Sequence, residues 1–238
     1  MEQMLAEARY SKLMWNAPLS DGHADELIEH MQLRSDSSLV DLGCGWGELL
    51  LRIASRTPMA GPISGVDTDT VALCRGRQAA DKLGIDVSFI EQKSEAWSET
   101  RSHAICIGSS HTLGGSRAML TRLAEIVPQG RALIGDMCWE RPPTEAAHAM
   151  FGDNVCLLAD LVAMCRETGW AVMHLSTADQ REWDDFESRH RAGLREWALR
   201  NPNDPQVSEI RKQQDARERN YITTYRGVLG FAFLVLAR

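Results

Sequence analysis

Aromatic residues are scarce in this 238-residue sequence, in which Phe, Trp and Tyr together make up 6%. No stretch of about 18 uncharged apolar residues occurs, so no transmembrane helix is predicted. The segment MEQMLAEARY at the start carries acids and lacks the basic and apolar regions of a secretory signal. These absences predict a cytoplasmic protein without a membrane partner.

Closely spaced cysteines are also missing. The six cysteines are scattered through apolar contexts, and no C-x-x-C pair occurs. Zinc ribbons and dithiol redox centres need such pairs. The sequence therefore predicts reduced, mostly buried thiols and no metal site.

Basic residues are outnumbered, with 26 Lys and Arg against 33 Asp and Glu and a formal net charge of −7. Binding to a nucleic-acid backbone needs a basic face, so nucleic acid is excluded as the main partner. The apolar content of 44% and the charged content of 25% are typical of a globular protein. We predict a single domain over residues 1–238, with a helical cap at about residues 1–31 and a helical insertion at about residues 179–222.

Residues 40–48, VDLGCGWGE, form the most informative stretch of the chain. An apolar run ends at three glycines spaced two residues apart, and an amphipathic run follows. This pattern predicts a strand, a tight turn and a helix start, because glycine accepts positive φ and lets a ligand contact bare backbone. The helix N-terminus beyond the turn favours an anionic group. Such a turn after a first strand marks the ligand crevice of an open α/β sheet.

VDLGCGWGE resembles the first motif of the class I S-adenosylmethionine (SAM)-dependent methyltransferases, acidic-x-G-x-G-x-G. The dinucleotide fingerprint, G-x-G-x-x-G, has a longer second spacing. The resemblance implies that SAM binds at this turn and leaves as S-adenosylhomocysteine (SAH). The contacts it implies are made by Asp41, Gly43, Cys44, Gly45 and Gly47.

A second strand, residues 62–67, ends at an acid. Asp67 follows Gly43 by 24 residues, close to the roughly 20-residue offset at which an acid meets ribose hydroxyls in such folds. A carboxylate accepts hydrogen bonds from two hydroxyls at once, whereas the structural alternative is that Asp67 caps the next helix. The resemblance implies that Asp67 and the adjacent Thr68 contact SAM.

The segment Ser94-Glu95-Ala96-Trp97 follows the third strand, where the family commonly has Asp-Ala. The resemblance implies that Glu95 accepts the adenine amino group and that the Ala96 N–H meets a ring nitrogen. Glutamate in place of aspartate is a departure that lengthens the side chain.

The apolar strand at residues 104–107 leads into a polar loop, where the family has the motif that lines the channel between methyl donor and acceptor. The resemblance implies that Gly108 and Ser109 contact SAM. His111 is the candidate catalytic residue, because a group with an ordinary pKa near 6.5 can accept a proton from an acceptor or orient it. The alternative is a hydrogen-bonded structural histidine.

The apolar periodicity of the remaining chain predicts the other strands and helices of the fold. Strands are predicted at residues 85–90, 132–136, 170–175 and 227–236, and helices between them. The resemblance implies a Rossmann-like α/β fold: a seven-stranded, mostly parallel sheet with an antiparallel last strand, helices on both faces and a helical cap.

Aromatic residues outside the motifs suit a small, largely apolar or cationic acceptor. Packing in the core is the alternative role for each of them. The predicted acceptor contacts are Tyr10, Trp15, Trp139, Trp183 and Tyr221.

These features together predict a SAM-dependent methyltransferase that acts on a small molecule, most similar to the ubiquinone/menaquinone and natural-product branch, and is a monomer or homodimer. Two alternatives remain open. An NAD-linked Rossmann oxidoreductase needs the longer glycine spacing, and a non-catalytic SAM-binding or regulatory protein needs only the cofactor motif.

Overall fold

The computed structural model describes residues 2–238, except for the side chains of Glu2, Gln3, Met4 and Ala6. Within these residues a seven-stranded sheet has the order β3-β2-β1-β4-β5-β7-β6. Strands β1 to β5 pair in parallel, and β7 is antiparallel to both β5 and β6. The strands are β1 Leu39–Leu42, β2 Ile63–Asp67, β3 Ser88–Glu91, β4 His103–Ile107, β5 Arg131–Trp139, β6 Ala171–Thr177 and β7 Leu229–Ala237. The predicted fold class is confirmed.

Helices cover both faces of the sheet and pack on alternate residues of its strands. Ile105 of β4 contacts the core on one face, and Ala104 contacts the core on the other. Central parallel strands are buried on both faces, and all four residues of β1 are buried for this reason. The helices are α1 Glu2–Tyr10, α2 Asp21–Met31, α3 Glu48–Arg56, α4 Thr70–Leu83, α5 Ser116–Ile126, α6 Glu145–Phe151, α7 Leu158–Glu167, α8 Gln180–Arg200 and α9 Val207–Asn220.

The fifth strand is longer than its sequence pattern predicts. The alternation predicted a strand that ends at Asp136, but β5 continues to Trp139 because the long antiparallel partner β7 pairs with it as far as Leu229. The predicted third strand at residues 85–90 is shorter and shifted, as Ser88–Glu91. Helix α6 and a π-helical turn at Tyr221–Tyr225 were not predicted.

The helices between β6 and β7 bring the N-terminal segment over the sheet edge. An aspartate cap, Asp179, begins α8 with a reciprocal hydrogen bond to Glu182. Helix α1 packs on α8, where Leu5 and Ala8 contact a small cluster around Leu194. Residues 11–19 then cross the carboxyl ends of the first strands before α2 begins.

No helix within residues 2–238 is both long enough and apolar enough to cross a membrane.

Candidate functional site

Two adjoining cavities open at the carboxyl ends of the central strands, where ligands of open α/β sheets bind. The first has a volume of about 520 Å³ and lies over the ends of β1, β2 and β4. The second has a volume of about 1250 Å³ and lies between β5, α8 and α9. The residues that line both are Asn16, Ala17, Gly108 and His111.

The glycine turn after β1 brings bare backbone to the first cavity. The N–H groups of Gly43 and Cys44 both donate to the carbonyl of Val66, at 2.8 and 3.0 Å, which ties the turn to β2. Gly43 has φ of 77°, and a Cβ there would lie 2.2 Å from Oγ of Ser109. Only glycine therefore fits at this position.

Asp67 forms one wall of the first cavity at the end of β2. Its carboxylate accepts the Gly45 N–H at 2.7 Å and the Asp69 N–H at 2.9 Å, one on each oxygen. Each carboxylate oxygen has a second acceptor position. The side chain is therefore fixed by backbone donors and can still accept hydrogen bonds from a ligand. The helix cap of α4 is Asp69, not Asp67.

Asp41 is a buried carboxyl group that lines the same cavity. It is 5% exposed, and its side chain has no hydrogen bond to any residue that the structure describes. Burial raises the pKa of Asp41 to about 8, and the nearby charge of Asp67 adds to the shift. A positive ligand group in the cavity would offset both effects.

The segment before α2 covers the first cavity and is held by the glycine-turn region. The indole N–H of Trp46 donates to the carbonyl of Met14 at 2.8 Å. The Arg75 guanidinium stacks on the Trp46 ring and donates to the carbonyls of Tyr10 and Leu13. Trp46, inside the motif, thus anchors the cap.

Most of the predicted cofactor contacts come together at the first cavity, but two do not line it. Gly47 turns into the core, where a Cβ would lie 2.4 Å from the Phe89 ring. The Ala96 N–H donates to the Lys93 carbonyl at 3.0 Å within a 3₁₀ turn, so it is already engaged. The predicted residues that line the cavity are Asp41, Gly43, Cys44, Gly45, Asp67, Thr68, Glu95, Gly108, Ser109, His111, Tyr10 and Trp15.

His111 lies at the junction of the two cavities, in a 3₁₀ turn after β4. Its side chain is exposed and makes no hydrogen bond to the described part of the chain. An imidazole that no protein group holds can bind a ligand proton from either cavity.

The second cavity is lined by apolar and aromatic side chains together with polar and charged ones such as Asp136, Glu187 and Arg217. Of the predicted acceptor contacts, Trp183 lines it. Its other apolar and aromatic lining residues include Met137, Met150, Phe151, Val155, Met164, Phe186, Tyr225, Leu229 and Phe231.

Trp139 and Tyr221, also predicted to contact the acceptor, line neither cavity. Trp139 lies in the extended β5 and is 3% exposed, with its ring edge-on to Phe151 at 5.9 Å. Tyr221 is 4% exposed and donates its hydroxyl proton to Asp184 at 2.6 Å. Both side chains pack behind the residues that face the cavity.

A buried ionic network borders the second cavity and was not predicted from the sequence. Glu187 is 1% exposed and accepts two hydrogen bonds from Arg217, both at 2.8 Å, and one from the Tyr225 hydroxyl at 3.0 Å. Arg191 lies within 3.4 Å of the same carboxylate. Burial and the Glu187 charge raise the pKa of Tyr225 above its ordinary value. The only sequence signal was the spacing of Glu187 and Arg191 on α8.

Asp136 is a second carboxylate at this cavity that the sequence did not single out. It is 7% exposed and accepts the Ser116 hydroxyl at 2.7 Å and the Met137 N–H at 3.0 Å. Because β5 lies beside β4, Asp136 lies one strand away from the loop that carries His111.

Comparison with known proteins shows similarity to methyltransferases in both sequence and structure. Residues 39–130, which include the glycine turn and Asp67, match a family model described as a methyltransferase domain. A SAM-dependent methyltransferase from Thiobacillus denitrificans, in complex with SAH, is 28% identical and superposes with a TM-score of 0.87 over 98% of each chain. A SAM-dependent methyltransferase from Geobacter sulfurreducens, also in complex with SAH, is 26% identical with a TM-score of 0.88 over 98% of each chain.

The predicted resemblance to the class I SAM-dependent methyltransferases is confirmed. The structural similarity to these two proteins extends over 98% of this chain and so includes the helices between β6 and β7. The Escherichia coli protein YjhP is 27% identical over 219 residues, which cover 87% of this chain and 88% of YjhP. Its structure superposes with a TM-score of 0.87 over the whole of both chains.

Proposed function

We propose that this protein is a SAM-dependent methyltransferase that binds SAM in the first cavity and a small-molecule acceptor in the second. The observation that carries the proposal is the buried Asp41 carboxyl group, which lines the first cavity beside the glycine turn and has no partner among the described residues. The complexes of the T. denitrificans and G. sulfurreducens relatives with SAH support the same ligand here.

The donor set of the first cavity fits the polar groups of SAM. Asp41 would accept a hydrogen bond from the cationic amino group. This ion pair offsets the cost of burying a carboxylate without a partner. Asp67 would accept hydrogen bonds from the ribose hydroxyls with its free lone pairs. Glu95 would accept a hydrogen bond from the adenine amino group. The Ala96 N–H is left out of this set because it is bonded within its own turn.

Bound SAM supplies a methyl group on a sulfonium, which is activated for in-line displacement. The chain itself aligns the acceptor and excludes water, and such orientation contributes several kcal/mol to lowering a barrier. The cap at residues 11–19 covers the first cavity. Gly108 and His111 line both cavities, so the reacting atoms would meet beside them.

His111 would take the acceptor proton or orient the acceptor. Its imidazole is exposed at the junction and has no hydrogen bond to the described residues, so it is available to a ligand. Asp136 would hold a hydroxyl or amino group of the acceptor, because each oxygen accepts one protein hydrogen bond and retains a lone pair.

The second cavity fits a largely apolar acceptor. Its volume of about 1250 Å³ exceeds the usual range of small-molecule pockets, about 300–1,000 Å³, so a fused-ring or long-chain molecule has room. Aromatic walls such as Trp183, Phe186 and Tyr225 favour a flat or cationic group. An acceptor like those of the ubiquinone and menaquinone branch has this character. Action in the cytoplasm as a monomer or homodimer stays a prediction.

The test is incubation of the purified protein with methyl-labelled SAM and a fractionated metabolite extract. We expect label in an apolar product, and loss of that product in a Trp183→Ala variant that still binds SAH. Label in no product, with SAH binding intact, would favour a non-catalytic SAM-binding protein. Binding of NADH without SAH binding would instead favour an oxidoreductase.

A further inference from the structure

Three side chains that commonly bind metal ions meet at the edge of the sheet, outside both cavities. Glu26 and His30 lie one helical turn apart on α2, and His174 lies on the edge strand β6. One ligand atom of each lies within 4.8 Å of those of the other two. None of the three lines the first or the second cavity.

A β-bulge directs His174 toward α2. Val172 pairs with Leu236, but His174 pairs with Val235, so one residue of β6 is left without a partner in the ladder. Leu236 and Val235 face opposite sides of the sheet. Without the bulge, Val172 and His174 would point to the same side, because side chains alternate along a strand. Bulges often reorient a side chain in this way.

The ring of His174 has an unsatisfied nitrogen. Its Nε2 atom is buried and has no hydrogen-bond partner among the described residues. The nearest carboxylate oxygen, Oε1 of Glu26, is 3.7 Å away, too far for a direct hydrogen bond. The His30 ring stacks on the His174 ring at 3.9 Å. Two polar atoms therefore lie near each other here without a hydrogen bond between them.

A small cation would join these three side chains after a small rotation of the imidazole rings. Zinc bonds of about 2.0–2.1 Å to nitrogen and oxygen, placed across the 3.7 Å between Nε2 of His174 and Oε1 of Glu26, give an angle of roughly 125–135° at the ion. This angle is wider than tetrahedral, so a zinc site with two histidines, one carboxylate and a water would draw the two atoms slightly closer together. Shared coordination would tilt the two imidazole rings out of their stack.

We propose that Glu26, His30 and His174 bind one zinc ion, which joins α2 to β6. The nearby His23 is outside the set, because its two ring nitrogens already contact Glu182 and Ser176.

The site is structural, because it lies outside the cavities and joins two elements that are distant in sequence. Helix α2 directly follows the segment that covers the first cavity, and β6 has no neighbouring strand on its outer side. An ion at this position would hold the edge strand to the helix and raise the stability of the folded state by binding it alone.

The experiment is a calorimetric titration of the full-length, chelator-treated and tag-free protein with zinc chloride, with Co²⁺ as a spectroscopic probe. We expect one ion per chain, tetrahedral cobalt absorption and a rise of the thermal midpoint by roughly 2–4 °C at saturation. His174→Gln should weaken zinc binding by more than about tenfold, and so should Glu26→Gln, which changes a mostly exposed side chain.

The matched control is His148→Gln. His148 lies on the exposed helix α6 and pairs at 3.2 Å with Asp153, which follows that helix; the pair has no third ligand among the described residues. Circular dichroism of each variant without metal verifies that it is folded. The proposal would be overturned if the wild type bound zinc no more tightly than His174→Gln. It would also be overturned if His148→Gln lost as much zinc affinity as His174→Gln. SAH binding is measured in parallel, so failure of this site is distinguishable from failure of the proposed methyltransferase function.

Discussion

The two cavities differ in how the chain builds them. The first is formed mainly by short segments at the ends of β1, β2 and β4, where backbone groups and a few acids face the cavity, and it is covered by the segment before α2. The second is formed by β5, the loop after α6, and the distant helices α8 and α9. Backbone chemistry is encoded locally in the sequence, whereas the second cavity depends on how helices far apart in the chain pack together.

The two cavities also differ in whether their buried carboxylates have partners within the protein. Asp41 in the first cavity is buried without a partner, so it favours a positive ligand. Glu187 at the second cavity is also buried, but Arg217 and Tyr225 satisfy it. The first cavity therefore favours a ligand with a positive group, whereas the Glu187 charge at the second cavity is already balanced within the protein.

The largest expected effect is on stability at the second cavity. Glu187→Gln leaves the positive charge of Arg217 without its carboxylate and should lower the free energy of unfolding by about 3–5 kcal/mol, measured by urea denaturation. The control Asp185→Asn removes an exposed pair with Arg189 and should change it by less than about 1 kcal/mol. Equal losses would show that the Glu187 network is no more important than a surface pair.

His111→Ala affects the junction between the cavities. We expect turnover of the identified acceptor to fall by roughly 100-fold if the imidazole takes a proton, with SAH affinity unchanged. Steady-state kinetics with calorimetry of SAH binding separates the two effects, and added free imidazole should restore part of the rate. Unchanged turnover would assign His111 a structural role.

Asp67→Ala tests the first cavity alone. Loss of its hydrogen bonds to the ligand should weaken SAH binding by about 1–3 kcal/mol, measured by calorimetry. Asp81→Ala, on the exposed end of α4, is the matched control and should bind SAH as the wild type does. Unchanged affinity in Asp67→Ala would contradict its assignment to the ribose.

Trp46→Phe gives the smallest effect. It removes the hydrogen bond from the indole to the Met14 carbonyl and should loosen the cap by about 0.5–1.5 kcal/mol. Hydrogen exchange should become faster in residues 11–19 and stay unchanged in α5. Unaltered exchange in the cap would mean that Arg75 and the aromatic contacts hold it without Trp46.

The sequence predicts the fold and most of the first cavity because both depend on local patterns. Glycine spacing, strand alternation and the acid at residue 67 all lie within short windows. Two predicted contacts do not line this cavity, and the reasons are local as well: Gly47 faces Phe89, and the Ala96 N–H closes its own turn. Whether a turn residue points into the cavity or into the core depends on the neighbouring strand, and that strand lies outside the motif.

The second cavity and the zinc ligands could not be predicted in this way. Trp139 and Tyr221 are aromatic, as residues that contact an apolar acceptor often are. The extension of β5 and the π-helical turn nevertheless place them behind the residues that line the second cavity. The sequence predicted no metal site because cysteine pairs are missing. Glu26 and His174 are nearly 150 residues apart, and a bulge in β6 brings them together.

The most direct test of the central claim, that Asp41 and the glycine turn bind SAM, is calorimetric titration with SAH between about pH 6 and about pH 8. Because burial raises the pKa of Asp41 to about 8, the unliganded protein holds a proton there that a cationic amino group must displace. We predict one SAH per chain, with affinity that rises by up to about tenfold per pH unit below that pKa. Asp41→Asn should bind more weakly and without this pH dependence. Absence of SAH binding, or equal and pH-independent affinity in both proteins, would contradict the account.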